Sequence, residues 1–159
     1  MPATFDSTRQ RADPPDVREL VDELVDRARI TDLISRLARC LDSRDFDGLR
    51  DLFSTDATVT TPGGTATGHD AIVEQARRRH SVDAEIQRIV TNLLIDRHGH
   101  DRAVVRANLL VSFARTGPAD PTPFVLGEVY DLALRRTRAG WRLTNLTSTP
   151  VWTINRPAG

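Results

Sequence analysis

A single cysteine, Cys40, is all the thiol chemistry the chain contains, so no intramolecular disulfide can form and a reducing compartment is the simplest account. Histidine is scarce as well. His69, His80, His98 and His100 are the whole set; only His98 and His100 lie close together, as an isolated pair without metal-ligand spacing. No metal is expected, and no cofactor. Net charge is missing too: 22 basic residues balance 22 acidic ones, which leaves no global field to hold nucleic acid or anionic lipid. No apolar run approaches the ~20 residues of a membrane span, and the N-terminal stretch MPATFDSTRQRADPPD has no apolar core of the kind a secretion signal needs. The expectation is a cytoplasmic protein that engages neither nucleic acid nor membrane. Repeats and low-complexity tracts are absent.

What remains is enough for one domain of ordinary size, since the chain has 159 residues. Residues 1–15 are polar and proline-containing, too poor in apolar side chains to offset the entropy of ordering them, and are expected to form a mobile arm. The domain should then run over residues 16–155, with 156–159 as a tail. Asp16 is a plausible N-cap for an amphipathic segment with apolar residues at Val17, Leu20, Val21, Leu24, Ala28, Ile30, Leu33, Ile34, Leu37, Ala38 and Leu41. Its phase slips near Arg29, which predicts either two helices or one that bends. Asp45 can cap a short helix that turns Phe46, Leu49, Leu52 and Phe53 inward. After a turn at Ser54 to Asp56, residues 57–61 read as a strand broken by Pro62, Gly63 and Gly64. The segment GHDAIVEQARRRH reads as a further helix with Ala71, Ile72 and Ala76 buried. Its arginine run is expected to be a solvated helix end.

The second half reads as four long strands: 87–95, 103–114, 124–136 and 141–148, with hairpin turns at DRHGHD and TRAG and a loop at TGPADPTP. In the second of these, Ala107, Leu109, Val111 and Phe113 alternate with Arg106, Asn108 and Ser112, so one face is buried and the other polar. Helices first and hairpin-linked strands afterwards make an α+β fold.

Four stretches carry a resemblance: LDSRDFDGLRDLFSTDATV (41–59), GHDAI (68–72), QRIVTN (87–92) and GWRLTNL (140–146). In this order they resemble the SnoaL-like family of the nuclear-transport-factor-like superfamily, over residues 30–152. The resemblance implies a cone-like curved antiparallel sheet with N-terminal helices packed over it, enclosing an apolar pocket. It also implies self-association as a homodimer or homotrimer. In scytalone-dehydratase-like members the first stretch carries an aspartate, matched here by Asp42. The strand stretch there usually carries a histidine, where this chain has Arg88, and a second histidine falls near Phe113. The acid/base histidines of that mechanism are therefore missing.

Asp42 could be a general base if a cavity desolvates it, or a helix-end aspartate in water. Arg88, mid-strand among apolar neighbours, needs a carboxylate or a bound anion. It could hold an enolate, grip a substrate carboxylate or lock Asp42 in an ion pair that weakens it as a base; the alternative is the outer sheet face. Asn92 shares the face of Arg88 and could donate to a substrate carbonyl, or make a turn-side or inter-strand hydrogen bond. Glu128 and Tyr130 share a face with Phe124, Leu126 and Leu132, as pocket polar groups or as core. Phe113 and Leu109 supply apolar lining, and Trp152 could cover the mouth of the cone or a subunit interface. The histidines are expected to be exposed.

The function implied is cofactor-independent cyclisation, isomerisation or dehydration of a hydrophobic carbonyl compound, such as a polyketide or steroid-like metabolite. Asp42 would be the base, and Arg88, Asn92 and Tyr130 would orient oxygen. The rivals are a non-catalytic ligand-binding or scaffold module, an accessory subunit resembling the small subunit of ring-hydroxylating oxygenases, and a water-activating arrangement like that of limonene-epoxide-hydrolase relatives. The spacing of Asp42 and Arg88 does not match the last of these.

Overall fold

The computed structural model describes residues 16–80, 84–115 and 123–155. The expected arm (1–15), the tail (156–159) and most of the TGPADPTP loop lie outside the described residues. One uninterrupted helix, α1 (Val17–Asp42), opens the fold, and the backbone N–H of Arg18 donates to the Asp16 carboxylate at 3.1 Å, as the N-cap reading requires. Of the two alternatives at Arg29, two separate helices are excluded, since the helix runs through it. The apolar positions of its two halves instead meet different surroundings. Ile30, Leu33, Ile34 and Leu37 are buried against the sheet, whereas Val17, Leu20, Val21 and Leu24 are exposed.

Asp45 accepts from the backbone N–H of Gly48 (3.2 Å) and starts a short 3-10 turn, Asp47–Asp51, with Phe46, Leu49, Leu52 and Phe53 all buried. Strand β1 (Phe53–Thr61) begins earlier than expected, so Ser54 to Asp56 are strand and not turn. Pro62 and Gly63 do not simply end it. They form the tip of a hairpin to β2 (Gly64–Thr67), a strand that the glycines concealed in the sequence. Helix α2 (His69–Arg79) follows with Ile72, Val73 and Ala76 buried, while Ala71, expected inside, is exposed.

The long strands are β3 (Ala84–His98), β4 (Arg102–Arg115), β5 (Phe124–Thr137) and β6 (Gly140–Ile154). They join the first hairpin in one six-stranded sheet of order β2-β1-β6-β5-β4-β3. The sheet is mixed and not wholly antiparallel, because β1 runs parallel to β6. Register shifts interrupt β3 between Thr91 and Leu94, and the β5–β6 ladder at Gly127/Glu128 and Ala133/Leu134. Such bulges bend strands and increase twist. The sheet curves without closing, and its concave face receives α1 and α2. On β4 the alternation holds: Ala103, Val105, Ala107, Leu109 and Val111 are buried, and Arg106, Asn108 and Leu110 are exposed.

Beneath α1 lies a buried polar junction. Asp26, 1% exposed, accepts from Trp141 Nε1 (3.1 Å), from Arg97 (3.1 Å) and from Arg136, whose guanidinium also stacks 4.9 Å from the centre of the Trp141 ring. A buried carboxylate needs such partners to offset its lost hydration. Trp141 is thus a core residue that ties helix to sheet.

Candidate functional site

A cavity of about 100 Å³ lies between the concave face of the sheet and the helices. Most of its wall is apolar, from Leu37 and Leu41 of α1, Ile72 and Ala76 of α2, and Val111 and Leu126 of the sheet. Register explains part of the arrangement: Arg88 pairs with Val111, which pairs with Leu126, so the three form one row across β3, β4 and β5 on the concave side.

Arg88 is the central polar group, with only 7% of its side chain exposed. Its Nη1 donates to Asp42 Oδ1 at 2.5 Å, and its backbone N–H donates to Asp42 Oδ2 at 2.8 Å. Both carboxylate oxygens of Asp42 are therefore occupied by one residue. Nη2 donates to His80 Nε2 at 2.7 Å, and His80 Nδ1 donates to the Ala76 carbonyl at 2.7 Å. A guanidinium has only donors, so His80 must offer a lone pair at Nε2 and carry its proton at Nδ1. Burial, with the Arg88 and Arg79 charges adding to it, holds the His80 pKa down at about 4, against the weaker opposing pull of its Ala76 hydrogen bond. The ring is neutral at physiological pH and packs on Phe46, with centroids 5.4 Å apart. Arg88 Nε is left over: it is buried, with no hydrogen-bond partner among the described residues.

Two further polar groups line the same cavity from β5. Glu128, 7% exposed, accepts from Ser148 Oγ at 3.0 Å through one oxygen, and its other oxygen has no donor among the described residues. Burial pushes the Tyr130 phenol up from its ordinary range, Arg88 pulls it back, and Glu128 adds to the rise. The phenol therefore stays protonated at neutral pH and can act as a donor.

Of the residues singled out in the sequence, Arg88, Phe113, Glu128 and Tyr130 come together in the cavity wall. Four do not. Asp42 stands behind Arg88, outside the lining, held in the ion pair that the sequence analysis set against its role as a base. Asn92 is exposed, with φ of 52°, inside the β3 bulge; the extra residue there changes the parity that would have kept it on the face of Arg88. Leu109 is buried opposite Glu128 but contributes to core packing, not to the wall. Trp152 lies over Gly127 on the convex face, away from the mouth.

His80 was missed. The RRRH run is exposed at Arg77, Arg78 and Arg79, but His80 turns inward, and His69 is also half-buried, donating from Nε2 to the Phe53 carbonyl at 2.9 Å. Only His98 and His100 are exposed as expected. Gln75 and Ser148 are also wall residues without a distinguishing signal in sequence.

Other routes to chemistry are closed or unsupported. All 22 basic residues are arginine, so no lysine can form a Schiff base. Burial, with Asp45 adding, pushes the Cys40 thiol up, which disfavours the nucleophilic thiolate. Among the described residues no group of three or more His, Cys, Asp and Glu side chains is arranged to hold a metal ion.

This geometry coincides with a family assignment. The model of the SnoaL-like domain matches residues 22–147, which contain most of α1, all of α2, every wall residue of the cavity but Ser148, and most of the sheet. The chain belongs to the SnoaL-like family. No curated protein sequence matches this SnoaL-like chain. Among solved structures, it is similar to a scytalone-dehydratase-like protein from Novosphingobium aromaticivorans DSM 12444, with TM-score 0.78 and 20% identity over 88% of this chain and 93% of the other. It also resembles a type 2 hexachlorocyclohexane dehydrochlorinase, with TM-score 0.76 and 22% identity over 84% of this chain and 90% of the other. A third similar structure is an NTF2-like protein with a cystatin-like fold from Novosphingobium aromaticivorans, with TM-score 0.73 and 25% identity, covering 84% and 87%. These likenesses bear out the fold read from the sequence. They describe backbone, and chemistry must come from the site. No helix among the described residues is long and apolar enough to cross a membrane.

Proposed function

We propose that this SnoaL-like domain is a cofactor-independent enzyme that moves a proton next to a carbonyl group in a small apolar substrate. The observation that carries the reading is Arg88 Nε: a buried N–H donor without an acceptor among the described residues, in the wall of a mostly apolar cavity that Glu128 and Tyr130 also line. Buried donors are rarely left unpaired, and a substrate oxygen would complete this one. Because Asp42 already neutralises Arg88, and Glu128 adds a negative charge nearby, a neutral carbonyl suits the site better than a carboxylate.

In this scheme Glu128 removes a proton from the carbon beside the carbonyl. The C–H electron pair becomes the enolate double bond, and the negative oxygen is held by Arg88 Nε–H and the Tyr130 hydroxyl. In an isomerisation, Glu128 returns the proton at the far carbon of the conjugated system. In a dehydration, the enolate pair expels a β-hydroxyl, which takes the proton from Glu128 and leaves as water. Asp42 is a positioning residue that fixes the guanidinium, not the base. About 100 Å³ is well below the roughly 300–1,000 Å³ of drug-sized sites, so a single-ring or short-chain compound fits better than a polyketide or steroid.

The test is conversion of 3-cyclohexenone to 2-cyclohexenone, followed by ultraviolet absorbance. The protein is expected to accelerate it, and Glu128→Gln to lower the rate by about 10²–10⁴-fold, the usual contribution of a positioned base. A second reading, a non-catalytic binding module, is favoured by the engagement of both Asp42 oxygens and both His80 nitrogens. Saturable binding of 2-cyclohexenone without any acceleration of the conversion would establish it. A cytoplasmic site and self-association as a homodimer or homotrimer complete the proposal. Exposed apolar residues of the convex face support the latter.

A further inference from the structure

A second opening shares no residue with the cavity. It lies between the middle of α1 and the β5–β6 turn, has a volume of about 650 Å³, and has Leu33, Leu52 and Trp141 among its lining residues. Five arginines line it: Arg29, Arg36, Arg136, Arg138 and Arg142. Only two carboxylates, Asp32 and Asp51, do so. A chain of zero net charge thus lines one place with five arginines and two carboxylates, an excess of two positive charges once the buried Asp26 that neutralises Arg136 is included.

The pairing of these groups decides what the cleft can hold. Arg36 is committed to Asp32 at 2.8 Å, and Arg136 to the buried Asp26. Arg142 donates to the backbone carbonyls of Ala139 at 3.1 Å and Trp141 at 2.9 Å, and its charge meets no carboxylate among the described residues. Arg29 and Arg138 have no ion pair or hydrogen bond among the described residues. Three guanidiniums on two separate elements therefore share a concave space in which one lining carboxylate, Asp51, is outside any ion pair among the described residues, leaving an excess of two positive charges. Like charges brought together in this way are relieved by a bound anion, and the planar fork of arginine matches phosphate oxygens bidentately.

We propose that this cleft binds a ligand carrying a diphosphate group. A phosphate monoester, at about −1.5 to −2, would balance this charge but has too few terminal oxygens to meet three arginine forks bidentately, whereas a diphosphate ester has enough to engage all three. The volume falls within the roughly 300–1,000 Å³ of small-ligand sites, which leaves room for the organic part of the ester over the apolar floor. The site is independent of the cavity chemistry, since the two have no wall residue in common.

The experiment is calorimetric titration of the full chain with inorganic pyrophosphate, ADP and adenosine at low and high salt. Pyrophosphate and ADP are expected to bind saturably, with affinity falling as salt rises, and adenosine is expected not to bind. The Arg29→Ala/Arg138→Ala double variant removes two unpartnered exposed side chains. It should melt at the same temperature as the parent while binding ADP at least tenfold more weakly. Arg77→Ala/Arg78→Ala, on α2, serves as the charge-matched control and should bind like the parent. Absence of saturable binding by both phosphate compounds, or an equal loss in the control, would overturn the proposal. Tighter binding of ADP than of pyrophosphate would support the nucleoside part lying on the apolar floor.

Discussion

Arg88 touches everything the cavity can do: Asp42 neutralises it, His80 accepts from it, and its Nε–H has no acceptor among the described residues. Removing one member of a buried pair leaves an uncompensated charge. Asp42→Asn is therefore expected to cost roughly 3 kcal/mol in urea unfolding, the low end for a buried pair because Asp42 is partly exposed. A loss below about 0.5 kcal/mol would mean the pair behaves as a surface one. His80 sets a pH dependence. The folded state holds its pKa at about 4, below the ordinary 6.5, so the unfolded chain takes up a proton first as pH falls. The stability due to the neutral ring is complete above about pH 6.5 and declines between there and about 4. His80→Gln should flatten that part of the profile, measured as melting temperature against pH. An unchanged slope would remove His80 from the account.

At the scale of elements, packing follows the periodicity wherever the sheet can reach it. Leu37, 2% exposed, lies on the α1 face that meets the cavity, and Leu37→Ala is expected to destabilise by about 2–5 kcal/mol in denaturant unfolding. The same periodic pattern in the first turns of α1 is solvent-exposed, because a helix pattern reports which residues could be buried and not where the partner surface ends. The strands show a second limit. Alternation on β4 placed Phe113 correctly, and alternation on β5 placed Glu128 and Tyr130 on the cavity side. It failed at Asn92 because a bulge adds one residue and reverses the faces beyond it. Asn tolerates the positive φ that the bulge needs, yet this is visible only with the partner strand in place. Trp152 was hidden by a different feature. Its ring occupies the space where a side chain on Gly127 would be, 2.3 Å from the position of a Cβ. Gly127→Ala should displace the ring, shift tryptophan emission to the red and cost about 1–2 kcal/mol. The cost should shrink in a Trp152→Ala background, which a double-mutant cycle would measure. Equal costs in both backgrounds would contradict the contact.

For the whole molecule, the convex face carries Ile89, Leu110 and Trp152, brought into one transverse row with Gly127 by strand register, and Val151 beside them. Such a stripe on a sheet is a candidate for burial between copies. Light scattering is expected to give a dimer or trimer for the parent and a lower mass for Leu110→Glu. A monomeric parent would leave the convex face without that role. The concave side carries the central claim: a guanidinium, a phenol and a carboxylate converge in a small apolar cavity to polarise a carbonyl. The infrared stretch of bound cyclohexanone reports this directly. The account predicts a C=O band at lower frequency than in hexane or water, moving back toward the solution value in Tyr130→Phe; a bound ketone with an unshifted band would contradict it.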